Sequence, residues 1–182
     1  VGLVGCGKIS QNHLKSLAIH SKRADLVAIC DAFEPSLSKT EEFISELNKE
    51  YPEATFRPKT YNDLDKLIKA SINGENQIDL IVLCTPSGLH PSQTILAANA
   101  GIHVCSEKPM ATKFSDGIKM LNACNKSGKY LFVVKQNRFN KTLELVKKQI
   151  SNGRFGRIAL VNINVFWQRP QSYYDQAKWR GT

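Results

Sequence analysis

The sequence has little of what defines membrane, metal-binding and disulfide-rich proteins. It contains no apolar run of about 18 residues, so no segment predicts a membrane-spanning helix. Its five cysteines are scattered and form no CxxC pair, which argues against a zinc site and against a disulfide framework. We expect reduced thiols in a cytoplasmic protein. No signal peptide is evident, and because Val1 already lies in an apolar run, we expect the natural N-terminus to precede it.

Acidic residues are few relative to basic ones, which gives a formal net charge of +9 at pH 7. Such an excess is compatible with nucleic acid, an anionic membrane or an acidic substrate. The basic residues spread over several predicted helices, and aromatic residues do not interleave with them as a base-stacking surface requires. We therefore expect neither nucleic acid nor membrane as a partner, and the charge favours a phosphate-bearing substrate.

The chain alternates short apolar runs with amphipathic stretches, a pattern typical of βαβ units. It predicts an α/β fold, a doubly wound parallel sheet with helices on both faces. The predicted strands are 1–4, 26–30, 54–56, 80–84, 102–105 and 131–134. The predicted helices are 9–20, one from Pro35, one capped by Asn62, one from Pro91 to near Gly101, and one capped by Thr112 or Ser115 that reaches Lys126.

The pattern changes after Gln136. Residues 141–152 predict a helix, and the alternation over residues 158–167 predicts one long strand. We therefore expect a dinucleotide-binding domain over residues 1–136. Residues 137–182 would be the start of an incomplete α+β domain that serves the substrate and the oligomer interface.

A glycine-rich turn follows the first predicted strand and opens the first helix. Gly5 and Gly7 match the pattern G-x-G-x-x-G, with Ser10 in the third glycine position. Gly5 permits the tight turn, and Gly7 lets a diphosphate approach the backbone at the helix N-terminus. Lys8 and Ile9 lie in the same turn, so we expect them to contact the cofactor as well. No P-loop motif occurs.

Asp31 ends the second predicted strand, where a carboxylate accepts hydrogen bonds from the adenosine ribose. Its charge would repel a 2′-phosphate, and no arginine lies between Asp31 and Lys39. The sequence therefore predicts NAD and disfavours NADP. A turn or cap residue is the alternative interpretation of Asp31.

Two further polar segments follow predicted strands, at the edge of the sheet where ligands bind. Thr85, Pro86 and Ser87 would line the cofactor cleft. His90 has two interpretations, a cap of the following helix or a neighbour of the cofactor. Residues 106–109 follow the next strand, and Pro109 would hold Lys108 extended into the cleft.

Lys108 is the predicted catalytic residue. An amine in the cleft can bind a substrate hydroxyl and exchange the proton that accompanies hydride transfer. An ordinary surface lysine is the alternative. Gln136 is a further candidate for the cofactor, and Asn137 and Arg138 are candidates for the substrate, because they lie at the predicted domain junction.

The segments G-C-G-K-I-S, C-T-P-S-G-L-H and E-K-P, in this order, resemble the Gfo/Idh/MocA family of oxidoreductases over almost the whole chain. The resemblance implies that Lys108 contacts substrate and cofactor and that Glu107 lies near the nicotinamide. It also implies a second domain built on an open, mostly antiparallel sheet. The partner histidine of that family lies on a later motif that these residues do not include.

The C-terminal segments W-Q-R-P-Q-S-Y-Y-D (residues 167–175) and K-W-R-G-T (residues 178–182) resemble the subgroup of this family that oxidises C3 of UDP-N-acetylglucosaminuronate in lipopolysaccharide biosynthesis. They add Arg169, Trp179 and Arg180 as substrate candidates, with ordinary packing as the alternative. We therefore predict an NAD-dependent oxidoreductase that converts a sugar hydroxyl to a ketone, in a homo-oligomer. A dehydrogenase of inositol or a free sugar, a non-catalytic NAD-binding redox sensor and a methyltransferase are the alternatives.

Overall fold

The structure is a computed structural model that describes residues 1–175. The chain divides into two compact units, Val1–Val134 and Lys135–Thr182. The first unit holds the sheet and its helices. Whether the second unit begins a substrate domain stays a prediction.

Six strands form one sheet in the first unit. They are β1 (Gly2–Val4), β2 (Ala28–Cys30), β3 (Lys59–Tyr61), β4 (Leu80–Leu83), β5 (His103–Ser106) and β6 (Leu131–Val133). Their order is β3-β2-β1-β4-β5-β6, and every neighbouring pair is parallel. This confirms the predicted doubly wound sheet. The order reverses between β1 and β4, which is where such sheets open a ligand crevice at the carboxyl ends of the strands.

Helices connect the strands and continue into the second unit. They are α1 (Ser10–Ile19), α2 (Glu34–Glu50), α3 (Leu64–Ile72), α4 (His90–Asn99), α5 (Phe114–Lys126), α6 (Lys141–Ser151) and α7 (Gln171–Asp175). Among residues 1–175, none of the helices is both long enough and apolar enough to cross a membrane.

Side chains alternate across the strands and bury both faces of the sheet. Leu3 and Ile29 pack in a cluster with Leu14 of α1 and residues of α2, whereas Val4 and Leu83 pack in a cluster with residues of α3 and α4. A fully buried side chain of this size contributes about 1.5–3 kcal/mol relative to exposure. Burial on both faces explains the continuous apolar runs of the central strands.

The predicted third strand at 54–56 is wrong. Ala54 and Phe56 are buried, but the backbone N–H and carbonyl of Phe56 are hydrogen-bonded to the side-chain amide of Asn48, at 3.1 and 3.0 Å. Because this side chain satisfies the backbone groups, the segment needs no neighbouring strand. The strand forms instead at Lys59–Tyr61, in register with β2.

The predicted strand at 158–167 is also absent from the described part of the chain. These residues are exposed and have no regular secondary structure. An alternating pattern makes a strand only where another strand pairs with its backbone, and residues 1–175 supply no partner for it.

Two predicted helix caps are wrong. Asp63, not Asn62, caps α3, because its side chain accepts a hydrogen bond of 2.7 Å from the N–H of Asp65. Extended Lys113 precedes α5 without any side-chain cap. Thr112 therefore lies too far upstream to cap this helix, and Ser115 already lies inside it.

Candidate functional site

The turn between β1 and α1 lies directly against the end of β4. Gly5 has a φ of +91°, and a Cβ there would lie 2.7 Å from the carbonyl carbon of Cys84 and 2.8 Å from the amide nitrogen of Thr85. The N–H of Gly5 donates to the carbonyl of Cys30 at 2.8 Å. Both the backbone conformation and the close contact require glycine at this position.

Gly7, in contrast to Gly5, faces open space. A Cβ at Gly7 would meet no atom within 4 Å, and Gly7, Lys8 and Ile9 are all exposed. Ser10, the buried first residue of α1, donates its hydroxyl to the carbonyl of Gly7. The turn thus leaves open space over a bare backbone at a helix N-terminus, which suits the diphosphate of a dinucleotide.

Asp31 ties this turn to the end of β2. Its Oδ2 accepts a hydrogen bond of 2.7 Å from the N–H of Cys6, and its Oδ1 accepts one of 2.9 Å from the N–H of Phe33. The turn-residue interpretation of Asp31 therefore describes part of its role. Each carboxylate oxygen keeps a lone pair, so the expected contact with a ribose remains possible and stays a prediction.

The loop after β4 continues into α4 through a short turn, Ser87–Leu89. Thr85 and Ser87 are half-buried and Pro86 is exposed. The hydroxyl of Thr85 donates to the side chain of Gln93, which leaves only its oxygen lone pairs for a ligand.

His90 does not cap α4. Its Nε2 lies 2.9 Å from the carbonyl oxygen of Thr85, and its Nδ1 lies 2.9 Å from the carbonyl oxygen of Pro109. The side chain is buried, with 1% of its surface exposed. The ring therefore lies between the loop after β4 and the loop after β5, and no contact with the N-terminal N–H groups of its own helix is made.

Glu107 is buried at the start of the loop after β5. Its Oε1 lies 2.9 Å from Nε2 of His13 on α1, and its Oε2 accepts a hydrogen bond of 3.1 Å from the N–H of Lys108. The peptide bond between Lys108 and Pro109 is cis. The side chain of Lys108 is exposed, and its ammonium group has no hydrogen bond or ion pair with residues 1–175.

The strand register brings these groups to one edge of the sheet. Val4 is level with Leu83, and Leu83 is level with Ser106, so the glycine turn, the loop after β4 and the loop after β5 leave the sheet side by side. A ligand along this edge would meet open backbone at the turn and a primary amine at the loop after β5. Such an arrangement can bind an anionic group and exchange a proton with a hydroxyl.

Thiols near this edge are poor nucleophiles. Burial raises the pKa of Cys6 and of Cys30 to about 12, and that of Cys105 to about 11. Burial also raises the pKa of Cys84, with a further contribution from the nearby carboxylate of Glu107. Among residues 1–175, no group of three histidine, cysteine or acidic residues is placed to hold a metal ion.

The remaining predicted residues lie in the second unit. Gln136, Asn137 and Arg138 form an exposed short turn directly after the first unit. The guanidinium carbon of Arg169 lies 3.8 Å from the ring centroid of Trp167. Trp179 and Arg180 lie outside the described residues. A substrate role for any of these residues stays a prediction.

His13 is the residue of this edge that the sequence interpretation missed. It lies one turn into α1 and 94 residues away from its partner Glu107. Its spacing after the glycine turn places it on the inward side of α1, next to buried Leu14. That spacing could have indicated a histidine facing the sheet, but local sequence does not identify Glu107 as its partner.

The fold and the glycine turn define a dinucleotide-binding domain of the Rossmann type. The sequence profile of the oxidoreductase family with an NAD-binding Rossmann fold, Gfo/Idh/MocA, matches residues 1–135. The chain therefore belongs to this family, which confirms the resemblance seen in its motifs.

Solved structures of two relatives are similar over nearly all of the chain. The WlbA dehydrogenase from Bordetella pertussis, in complex with NADH and UDP-GlcNAcA, is 49% identical with a TM-score of 0.85, and the match covers 99% of this chain and 50% of that one. The WlbA dehydrogenase from Chromobacterium violaceum, with the same two ligands, is 43% identical with a TM-score of 0.82, and the match covers 100% of this chain and 48% of that one.

A curated relative from Comamonas testosteroni, 1-carboxy-3-chloro-3,4-dihydroxycyclo hexa-1,5-diene dehydrogenase, is 30% identical over 94% of this chain and 40% of its own length. The chain thus spans half or less of the length of these three relatives.

Proposed function

We propose that the protein carrying this chain is an NAD-dependent dehydrogenase that oxidises the C3 hydroxyl of a UDP-linked sugar uronate to a ketone. The observation that carries the proposal is the 49% identity, over 99% of the chain, to a dehydrogenase solved with NADH and UDP-GlcNAcA. Inositol dehydrogenases also occur among the relatives, at 28% identity or less, so their likeness to this chain is weaker.

The residues of the first unit fit the cofactor. The exposed backbone of Gly7, Lys8 and Ile9 would hold the diphosphate, and Asp31 would accept hydrogen bonds from the adenosine ribose. Thr85, Pro86, Ser87 and Glu107 would line the rest of the cofactor site in this unit, and the buried ring of His90 would lie behind them. Gln136 of the second unit stays a candidate for the cofactor. When bound, NAD⁺ supplies the hydride acceptor of the reaction. The charge of Asp31 opposes a 2′-phosphate, which favours NAD over NADP.

Lys108 would handle the proton. Oxidation of an alcohol removes a hydride from carbon and a proton from oxygen, so a group beside the hydroxyl must accept that proton. The exposed amine of Lys108 is free of partners among residues 1–175, and its neighbours on both sides are held by the fold. A positioned acid–base group of this kind contributes about 10²–10⁴-fold to a rate.

Cationic and amide side chains of the second unit would serve the substrate. Asn137, Arg138, Arg169 and Arg180 match the carboxylate and diphosphate of a nucleotide sugar uronate, and Trp179 would supply an apolar contact. The proposal includes a cytoplasmic location, a role in lipopolysaccharide biosynthesis and a homo-oligomeric state.

The full-length protein with NAD⁺ tests the proposal directly. Reduction of the nicotinamide is followed by absorbance with UDP-GlcNAcA, with UDP-GlcNAc, which lacks the carboxylate, and with myo-inositol. We expect turnover with UDP-GlcNAcA well above that with the other two. Preferential turnover of myo-inositol would contradict the proposed substrate, and NAD binding without turnover of any sugar would indicate a non-catalytic module.

A further inference from the structure

The ring of His90 makes a contact at each of its nitrogens with a different loop of the site. Nε2 lies 2.9 Å from the carbonyl oxygen of Thr85, and Nδ1 lies 2.9 Å from that of Pro109. The two carbonyls belong to segments that leave neighbouring strands β4 and β5. With 1% of its surface exposed, the side chain has almost no access to water that could replace either contact.

Both partners of the His90 ring are hydrogen-bond acceptors. A carbonyl oxygen only accepts hydrogen bonds, so each ring nitrogen holds its loop only when it carries a hydrogen. A neutral imidazole donates to one carbonyl at a time, whereas a ring with hydrogen on both nitrogens donates to both. A hydrophobic residue of similar size would remove the donor altogether and leave the carbonyls facing an apolar side chain.

The contact with Pro109 acts next to the proposed catalytic amine. The residue before Lys108 is held by the contact of Glu107 with His13, at 2.9 Å, and the residue after it is held by His90. Lys108 itself lies between these two fixed points with an exposed side chain. The fold therefore fixes the backbone on both sides of the amine and leaves the amine free to meet a ligand.

We propose that His90 is a positioning residue that ties the loop carrying Lys108 to the loop after β4, by donating to the carbonyl of Pro109. This inference rests on the proposed function of Lys108. It predicts that loss of the Pro109 contact affects the reaction more than loss of the Thr85 contact does.

Two substitutions separate the contacts. The side-chain nitrogen of asparagine occupies the position of Nδ1 of histidine, and that of glutamine occupies the position of Nε2. His90→Asn therefore keeps a donor towards Pro109 and loses the contact with Thr85, whereas His90→Gln does the reverse. His20→Gln is a matched control, because His20 is exposed at the end of α1 and far along the helix from the turn.

The first measurement needs no turnover. Amide hydrogen exchange is followed by mass spectrometry in the ligand-free full-length protein, on peptides that cover residues 106–112 and 84–90. We expect His90→Gln to speed exchange over 106–112 by about tenfold, as expected when local opening becomes easier. His90→Asn, which keeps a donor towards Pro109, should change exchange over 106–112 much less, and His20→Gln should change neither peptide.

The second measurement is steady-state kinetics with NAD⁺ and UDP-GlcNAcA. We expect His90→Gln to lower kcat about tenfold or more, since small displacements of a catalytic group cost up to about 100-fold. His90→Asn should lower kcat less and raise the KM for NAD⁺ more. This split between kcat and KM is not expected of a histidine that only fills the core.

Equal exchange and equal kcat losses in the two variants, in proportion to their unfolding free energies, would overturn the inference. So would unchanged exchange over 106–112 in His90→Gln, or an exchange difference without a difference in kcat. If the unsubstituted protein oxidised no sugar, the proposed function would fail. The exchange experiment would then still decide whether His90 holds the loop, so the two failures are distinguishable.

Discussion

Two loops leave the same edge of the sheet and are held in place by different means. The turn after β1 is fixed through its own main chain, because Gly5 lies against the backbone of Cys84 and Thr85, directly after β4, and the N–H of Cys6 donates to the carboxylate of Asp31. The loop after β5 is fixed by two imidazole rings, those of His13 and His90, from two different helices.

The difference matches what each loop would have to do. A diphosphate is bound by N–H groups whose positions depend on the backbone alone, so a rigid turn with open space over Gly7 is sufficient. A proton-transfer group must be placed accurately relative to a reacting atom, and side chains around it supply that accuracy. Substitutions in the turn should therefore affect stability and NAD binding, whereas substitutions in the loop after β5 should affect mainly the rate of the reaction.

The largest effect is expected at the turn. Gly5→Ala would force a residue with a side chain to a φ of +91° and put its Cβ within 2.9 Å of three backbone atoms of Cys84 and Thr85. We expect the free energy of unfolding to fall by about 3 kcal/mol, through strain and displacement of β4. Urea denaturation monitored by circular dichroism measures it.

Gly7→Ala is the control for this substitution. A Cβ at Gly7 meets no protein atom within 4 Å, so we expect little change in unfolding but weaker NAD binding by calorimetry. An equal loss of stability in the two alanine variants would contradict the contrast between a packed and an open glycine.

The second effect concerns the loop after β5. Lys108→Ala removes an exposed side chain whose amine has no hydrogen bond or ion pair among residues 1–175, so we expect the free energy of unfolding to change by about 0.5 kcal/mol or less. Loss of the acid–base group should lower kcat by about 100-fold or more. Lys126→Ala, an exposed lysine in the last turn of α5, should change neither quantity. Equal losses in turnover and in NAD affinity would refute the role of Lys108.

The two loops also differ in how far the sequence predicts them. The glycine turn depends on neighbours in the chain, because Gly5, Gly7 and the start of α1 lie within a few residues of one another. Local spacing therefore revealed its conformation, and the apolar runs of β1, β4 and β5 placed it in the sheet. Lys108 was likewise predicted from its position after a strand and before a proline; the structure places it at this edge of the sheet, and its role stays a prediction.

The supports of the second loop were not predictable from spacing. His13 and Glu107 are 94 residues apart, and His90 reaches Pro109 across 19 residues. The same reason explains the two wrong strands. Asn48 replaced the strand pairing expected near Phe56, and residues 158–167 found no partner strand among residues 1–175. In each case the deciding contact is distant in sequence or depends on a side chain.

The third prediction concerns Asp31, whose carboxylate connects the glycine turn to the end of β2. Asp31→Asn replaces one accepting oxygen with a donor that faces an N–H, either that of Cys6 or that of Phe33. We expect unfolding to become easier by about 1 kcal/mol and NAD binding to weaken. Because the negative charge is removed, the preference for NAD over NADP should fall, which titration with both dinucleotides measures.

Asp65→Asn removes an exposed carboxylate on α3 and controls for the change in charge. An unchanged preference would show that Asp31 serves the turn alone.

The smallest effect is expected for the thiols of Cys6, within the glycine turn, and Cys105, on the strand that precedes the second loop. Burial raises the pKa of Cys6 to about 12 and that of Cys105 to about 11, above the ordinary value of 9.0. Only the thiolate reacts with iodoacetamide, so both residues should stay almost unmodified at neutral pH in the folded protein. Cys105 is half-buried whereas Cys6 is buried, so as the pH rises peptide mass spectrometry should detect alkylation of Cys105 before that of Cys6. Faster alkylation of Cys6 would mean that the glycine turn opens more readily than the loop after β5. The turn would then be the less rigid of the two loops, which contradicts the comparison made above.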